Sequence, residues 1–141
     1  MIVYTLVINK SKMRYTIGMS KKLILIIEDS SYLAESLADM IKIKGHEPIS
    51  AQTGREGVEM AISKQPDLIL LDIRLPDIDG YEVYRRIREN KWGEKAKIIV
   101  LTASESTENI SKNIDLPADL ILFKPEWSVK DLLDRIESQL N

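Results

Sequence analysis

From Lys22 onward, short apolar runs alternate with helix-length amphipathic stretches. The runs cover 23–27, 48–51 (the weakest), 68–71, 98–101 and 120–123. Near-continuous Ile, Leu and Val is what a strand covered on both faces requires. Between the runs, Leu33, Leu37, Met40 and Ile41 fall on one helical face, and Val58, Ala61 and Ile62 repeat the pattern. Val83 and Ile87 mark a third helix, a fourth is expected over 105–115, and Val129, Leu132, Leu133, Ile136 and Leu140 mark the last. Thr53 with Glu56, Asp79, and Ser128 with Asp131 supply N-terminal caps, the first pair reading as a capping box. All five prolines fall between elements. Five strands alternating with five helices predict an α/β fold, a doubly wound parallel sheet with helices on two faces and right-handed crossovers.

Open sheets of this kind bind ligands beyond the carboxyl ends of their strands. The first run ends at Glu28 and Asp29, the third at Asp72, the fourth at Thr102 and the fifth at Lys124. A parallel sheet brings these residues out on one edge. Three crowded carboxylates repel one another, and without a cation at least one pKa rises. A hard divalent ion with oxygen ligands relieves this, and a site with few protein ligands suits Mg²⁺. Lys124 adds a second positive charge. An aspartate flanked by Mg²⁺ and an ammonium is equipped to attack a phosphoryl group, to which Thr102 can donate.

These residues carry a resemblance. Ile26-Ile27-Glu28-Asp29-Ser30, the segment from Leu70 through Asp72 to Gly80, Val100-Leu101-Thr102-Ala103 and Phe123-Lys124-Pro125 together resemble the receiver domain of two-component response regulators. The likeness covers about 22–140. It implies a flavodoxin-like strand order of 2-1-3-4-5. It implies that Asp72 accepts a phosphoryl group from a phosphohistidine on a sensor histidine kinase or phosphotransfer protein. Asp29, Asp72 and the backbone carbonyl of Arg74 would bind Mg²⁺, with Glu28 acting mostly through water. Lys124 would contact the phosphoryl group, and its bond to Pro125 is expected to be cis.

Three features depart from the family pattern, the first being Glu28 where the family often has Asp, a change that should preserve metal binding. Ile121 stands where the family usually has an aromatic that turns inward when the threonine moves, and Phe123 shares its strand face. The fourth helix has only Ile110 and Ile114 as clear apolar positions, so it buries little and is expected to open easily.

Composition narrows the reading further. Apolar residues make up 44% of the chain, enough for a core, and there is no cysteine for a disulfide, thiolate zinc site or nucleophile. Residues 1–18 carry three basic residues and no acid, leaving 17 basic against 22 acidic residues beyond them. An acidic body argues against direct nucleic-acid binding. No apolar run has the ~20 residues of a membrane span. Residues 1–18 read as an N-terminal extension before a 19–141 domain, with an extra strand over Ile2–Ile8 as the alternative. His46 after Gly45, and the run Arg85, Arg86 and Arg88, read as solvated; Trp92 and Trp127 flank loops.

The function expected is a cytoplasmic phosphate-accepting signalling domain, monomeric or weakly dimeric, that acts on a downstream protein and is not a conventional enzyme. The alternative is a phosphate-independent interaction module. A phosphohydrolase is disfavoured, because the second aspartate such enzymes carry two residues on is here Arg74.

Overall fold

The computed structural model describes residues 2–8, 13–19, 21–103, 105–126 and 128–141, and of 2–8, 13–19 and 125 the backbone alone. Ile2–Ile8 (β1) runs antiparallel to Met13–Met19 (β2), with Ile2 opposite Met19 and Ile8 opposite Met13. The strand weighed for Ile2–Ile8 therefore exists, paired with a second that the sequence pattern did not single out. Trp127 lies outside the described residues.

Beyond them the chain runs Leu23–Ile27 (β3), Ser31–Ile43 (α1), Glu47–Ala51 (β4), Gly54–Lys64 (α2), Leu68–Asp72 (β5), Gly80–Glu89 (α3), Ile98–Thr102 (β6), Thr107–Ser111 (α4), Ile121–Phe123 (β7) and Val129–Leu140 (α5). The second sheet is parallel in the order β4-β3-β5-β6-β7. Counted within that sheet this is the expected 2-1-3-4-5.

Residue parity divides the core. Odd-numbered positions of β3, β5 and β7 (Leu25, Ile27, Ile69, Leu71, Ile121) and even-numbered positions of β6 (Ile98, Val100) share one buried cluster with α2, α3 and α4. On the other face, Ile24, Ile26, Leu68, Leu70, Ile99, Leu101 and Leu122 pack on α1 and α5. Each fully buried Leu or Ile contributes roughly 1.5–3 kcal/mol. Every residue of β5 and β6 is buried, as central strands require, whereas β4 is exposed at Glu47 and Ser50. An edge strand needs less apolar surface and tolerates a proline, so Pro48 lies inside β4 and not between elements as expected, and its run is the weakest.

The caps form as expected at Asp79 and Ser128, the latter with a reciprocal bond from the Ser128 N–H to Asp131. At α2 only half of the box is made: Thr53 accepts from the Glu56 N–H, but the Glu56 carboxylate accepts from Gln52 N.

Three other expectations are corrected. The fourth helix is shorter than 105–115, because Ser106 caps it and it stops at Ser111. Ile110 and Ile114 both reach the core, and the chain between them closes with a bond from Asn113 N to Ile110 O. His46 is buried at 7% exposure, not solvated. Gly45 takes a φ of 85°, which turns the chain so that the His46 ring tucks under the sheet. Its Nδ1 accepts from Lys22 N at 3.3 Å and its Nε2 lies 3.6 Å from Glu137 Oε1 on α5. Arg88 is not a free surface charge: it donates to the carbonyls of Gly93 and Ala96 and covers the Tyr84 ring at 4.9 Å. Arg85 and Arg86 do face outward, paired with Glu82 and Glu89.

Candidate functional site

The sheet register builds the site. Ile27 pairs with Leu71 and Asp72 with Leu101, so the residues following β3 stand level with the end of β5. Glu28 N still donates to Ala51 O at 3.0 Å, which extends the ladder by one step. Glu28 and Asp72 continue the even parity of their strands, toward the α1 and α5 face. Lys124 arrives just after β7 and reaches both, at 3.1 Å from Glu28 Oε1 and 3.4 Å from Asp72 Oδ2. Glu28 is 4% exposed and Asp72 8%. Asp29 is exposed, immediately before Ser30, which caps α1 through Leu33 N.

Oxygens of Glu28, Asp29 and Asp72 lie within 4.8 Å of one another. Burial pushes the Glu28 carboxyl up to about 8, helped by the neighbouring Asp72 and opposed by Lys124. Glu28 Oε2 is buried without a hydrogen-bond donor. One ammonium does not balance three crowded carboxylates, and the orphaned oxygen marks where positive charge is short. The set is all oxygen and partly open, which fits a hard divalent cation.

Thr102 closes β6 opposite Phe123, fully buried, and continues the Ile98–Val100 side of its strand, toward α2, α3 and α4 and opposite to that of Asp72. Arg74 lies on the loop after β5, its N–H donating to Asp72 Oδ1 at 3.2 Å. The structure thus brings Glu28, Asp29, Asp72 and Lys124 into one cluster, with Thr102 and Arg74 on the adjoining strand end and loop. The cis bond expected between Lys124 and Pro125 lies outside what is described, since Pro125 is not among the fully described residues. After β7 the chain passes straight into a short 3-10 turn over Lys124–Glu126. Ile121 is 2% exposed and faces α4, whose Thr107 hydroxyl donates to its carbonyl at 3.4 Å.

A contact that sequence reasoning missed ties α3 to the segment after Thr102. Tyr81 donates its phenol to Glu105 Oε2 at 2.5 Å, and burial together with this carboxylate raises the phenol's pKa. No local spacing pairs residues 24 apart. Gly80 shows equal dependence on tertiary packing. A Cβ there would lie 2.5 Å from Ile73 Cα and 2.6 Å from Asp72 O, both backbone atoms that cannot swing aside. Gly80→Ala is expected to cost about 2–3 kcal/mol, as overpacking does, and to displace the Asp72 segment. Denaturant titration checks it; unchanged stability would mean that the loop yields freely.

The model of the response regulator receiver domain family matches residues 24–137. Response regulator MprA of Mycolicibacterium vanbaalenii is 35% identical over 117 residues, covering 83% of this chain and 49% of that protein. A putative response regulator from Chloroflexus aurantiacus aligns with a TM-score of 0.76 at 27% identity, over 86% of this chain and 98% of its own. The receiver domain of a sensor histidine kinase from Pseudomonas aeruginosa, solved with magnesium in its active-site cleft, aligns with a TM-score of 0.75 at 26% identity, over 86% and 98%. The chain belongs to the response regulator receiver family, a family of signalling domains. It spans about half the length of the curated relatives it matches. Among the described residues, no helix is long and apolar enough to cross a membrane.

Proposed function

We propose that this receiver domain, spanning 19–141, accepts a phosphoryl group on Asp72 from the phosphohistidine of a sensor kinase or phosphotransfer protein. The supporting observation is Asp72 itself, nearly buried at a central strand end within reach of the Lys124 ammonium and two further carboxylates. Asp29, Asp72 and the carbonyl of Arg74 would hold Mg²⁺, with Glu28 acting through water. Bound there, Mg²⁺ would supply positive charge to the phosphoryl oxygens.

An Asp72 carboxylate oxygen attacks phosphorus, and the bond from phosphorus to the histidine nitrogen breaks. The attacking group is a carboxylate with no proton to lose, so no general base is needed, and the leaving imidazole nitrogen takes a proton from water. Lys124 neutralises charge that develops on the transferring group, and Thr102 donates to one of its oxygens. The signal then passes to a downstream protein in the cytoplasm. Ile121 supports a second reading, an interaction module that works without phosphate, since its aliphatic side chain has no ring to swing.

Intact mass after incubation with acetyl phosphate, with and without Mg²⁺, separates the two. A single phosphoryl addition that requires Mg²⁺ is expected. No addition to a folded, Mg²⁺-binding protein would leave the interaction module.

A further inference from the structure

The segment between β5 and α3 carries Arg74 at one end and Asp79, the cap of α3, at the other. Its outer part is tied down at Asp77. The Asp77 carboxylate accepts from the backbone N–H groups of Gly54 at 2.8 Å and Arg55 at 3.0 Å. These are the first two residues of α2. The local cap, Thr53, serves only the Glu56 N–H, at 3.1 Å. Asp77 therefore satisfies two donors that nothing near them in sequence covers. Burial alone would raise its pKa, but the N–H groups of Arg55, Ile78 and Gly54 hold it down at about 2.

Apolar packing confirms the seat. Ile78 presses on Gly54 so closely that a Cβ at 54 would lie 2.6 Å from Ile78 Cγ1 and 2.8 Å from Ile78 O. Among the described residues, the hydrogen bonds that join 74–78 to a different helix all run through Asp77. The inner end of the segment is closed by its own bonds, Arg74 N to Asp72 Oδ1 at 3.2 Å and Gly80 N to Ile73 O at 2.7 Å. The position of the Arg74 backbone is thus set from two sides, by Asp72 within the site and by α2 outside it.

We infer that Asp77 is a positioning residue for the cation site: by docking its loop on the N-terminus of α2, it holds the Arg74 carbonyl where a divalent ion needs it. The inference rests on the reading that Asp29, Asp72 and the Arg74 carbonyl bind Mg²⁺. Outer partners that orient a metal ligand are worth 10- to 100-fold in affinity.

The test compares the full chain with Asp77→Ala and Thr53→Ala, by isothermal titration with Mg²⁺ and by thermal unfolding. Both substitutions remove caps from the same helix, so both are expected to lower Tm. Only Asp77→Ala is expected to weaken Mg²⁺ binding, by about tenfold or more, with Thr53→Ala staying within about twofold. Should Asp77→Ala prove too unstable to titrate, Asp77→Asn, which keeps one acceptor, is expected to show a smaller loss in the same direction. Wild-type affinity in the Asp77 variants would overturn the inference while leaving the Mg²⁺ site intact. Equal losses in the Asp77 and Thr53 variants would reduce Asp77 to a helix cap. Absence of Mg²⁺ binding by the unaltered chain would overturn the site reading and the inference with it.

Discussion

Asp72→Asn is expected to abolish phosphoryl incorporation from acetyl phosphate while leaving the fold intact. The amide has nearly the shape of the carboxylate but lacks its anionic oxygen, so the nucleophile is lost without a cavity. Lys124 keeps its partner at Glu28, 3.1 Å away, and is not stranded as a lone buried charge. The substitution also changes its neighbour. Burial is the first cause of the raised Glu28 pKa, but the hydrogen bond and negative charge of Asp72 are the next two. With that charge gone, Glu28 is expected to titrate lower than about 8, and the metal-free protein should melt no lower than the parent at neutral pH. Mass spectrometry reads the first outcome and thermal unfolding the second. Mg²⁺-dependent incorporation persisting in the variant would place the acceptor elsewhere, with Glu28 and Asp29 the neighbouring carboxylates.

The second large effect is a coupling of Mg²⁺ affinity to pH. In the metal-free fold, Glu28 is held protonated up to about 8, against 4.5 in an unperturbed carboxyl, first by burial and then by Asp72. The sign follows from which state holds more protons. Between 4.5 and about 8 the folded chain retains a proton that the unfolded chain has released. The stabilisation of the neutral form is therefore fully present below the lower value and lost as pH rises through the upper one. A cation favours the charged carboxylate, so binding releases that proton. Mg²⁺ affinity should fall about tenfold for each pH unit below the Glu28 pKa, or on the order of 100-fold over two units. Titrations in buffers of different ionisation enthalpy should show release of roughly one proton per ion at neutral pH. Glu28→Gln cannot titrate and should flatten the profile. An equally steep profile in that variant would assign the proton to another group.

Much of this was legible along the chain. The strands of the parallel sheet announce themselves as unbroken Ile, Leu and Val because central strands are buried on both faces, and only the edge strand β4, half exposed, gives a faint run. Asp79 and Ser128 could be read as caps because capping is a bond over three residues. The cluster of Glu28, Asp72 and Lys124 was legible for a related reason. Parallel topology sends every strand end to one edge, so a polar residue closing an apolar run is placed by its run.

What stayed hidden depends on contacts between distant segments. His46 looks like a turn residue, and only the approach of α5 and the start of β3 buries it. Arg88 looks like its neighbours Arg85 and Arg86 until the loop carbonyls of Gly93 and Ala96 come within its reach. The short α4 reflects packing of Ile110 and Ile114, which outweighs the polar helical pattern around them. The Tyr81–Glu105 bond and the seat of Asp77 on α2 join residues 24, 23 and 22 apart. Periodicity, caps and strand-end chemistry are local and belong to the sequence. The charge balance at Glu28 and the anchoring of the Arg74 loop belong to the tertiary structure, because each depends on which distant group the fold brings near.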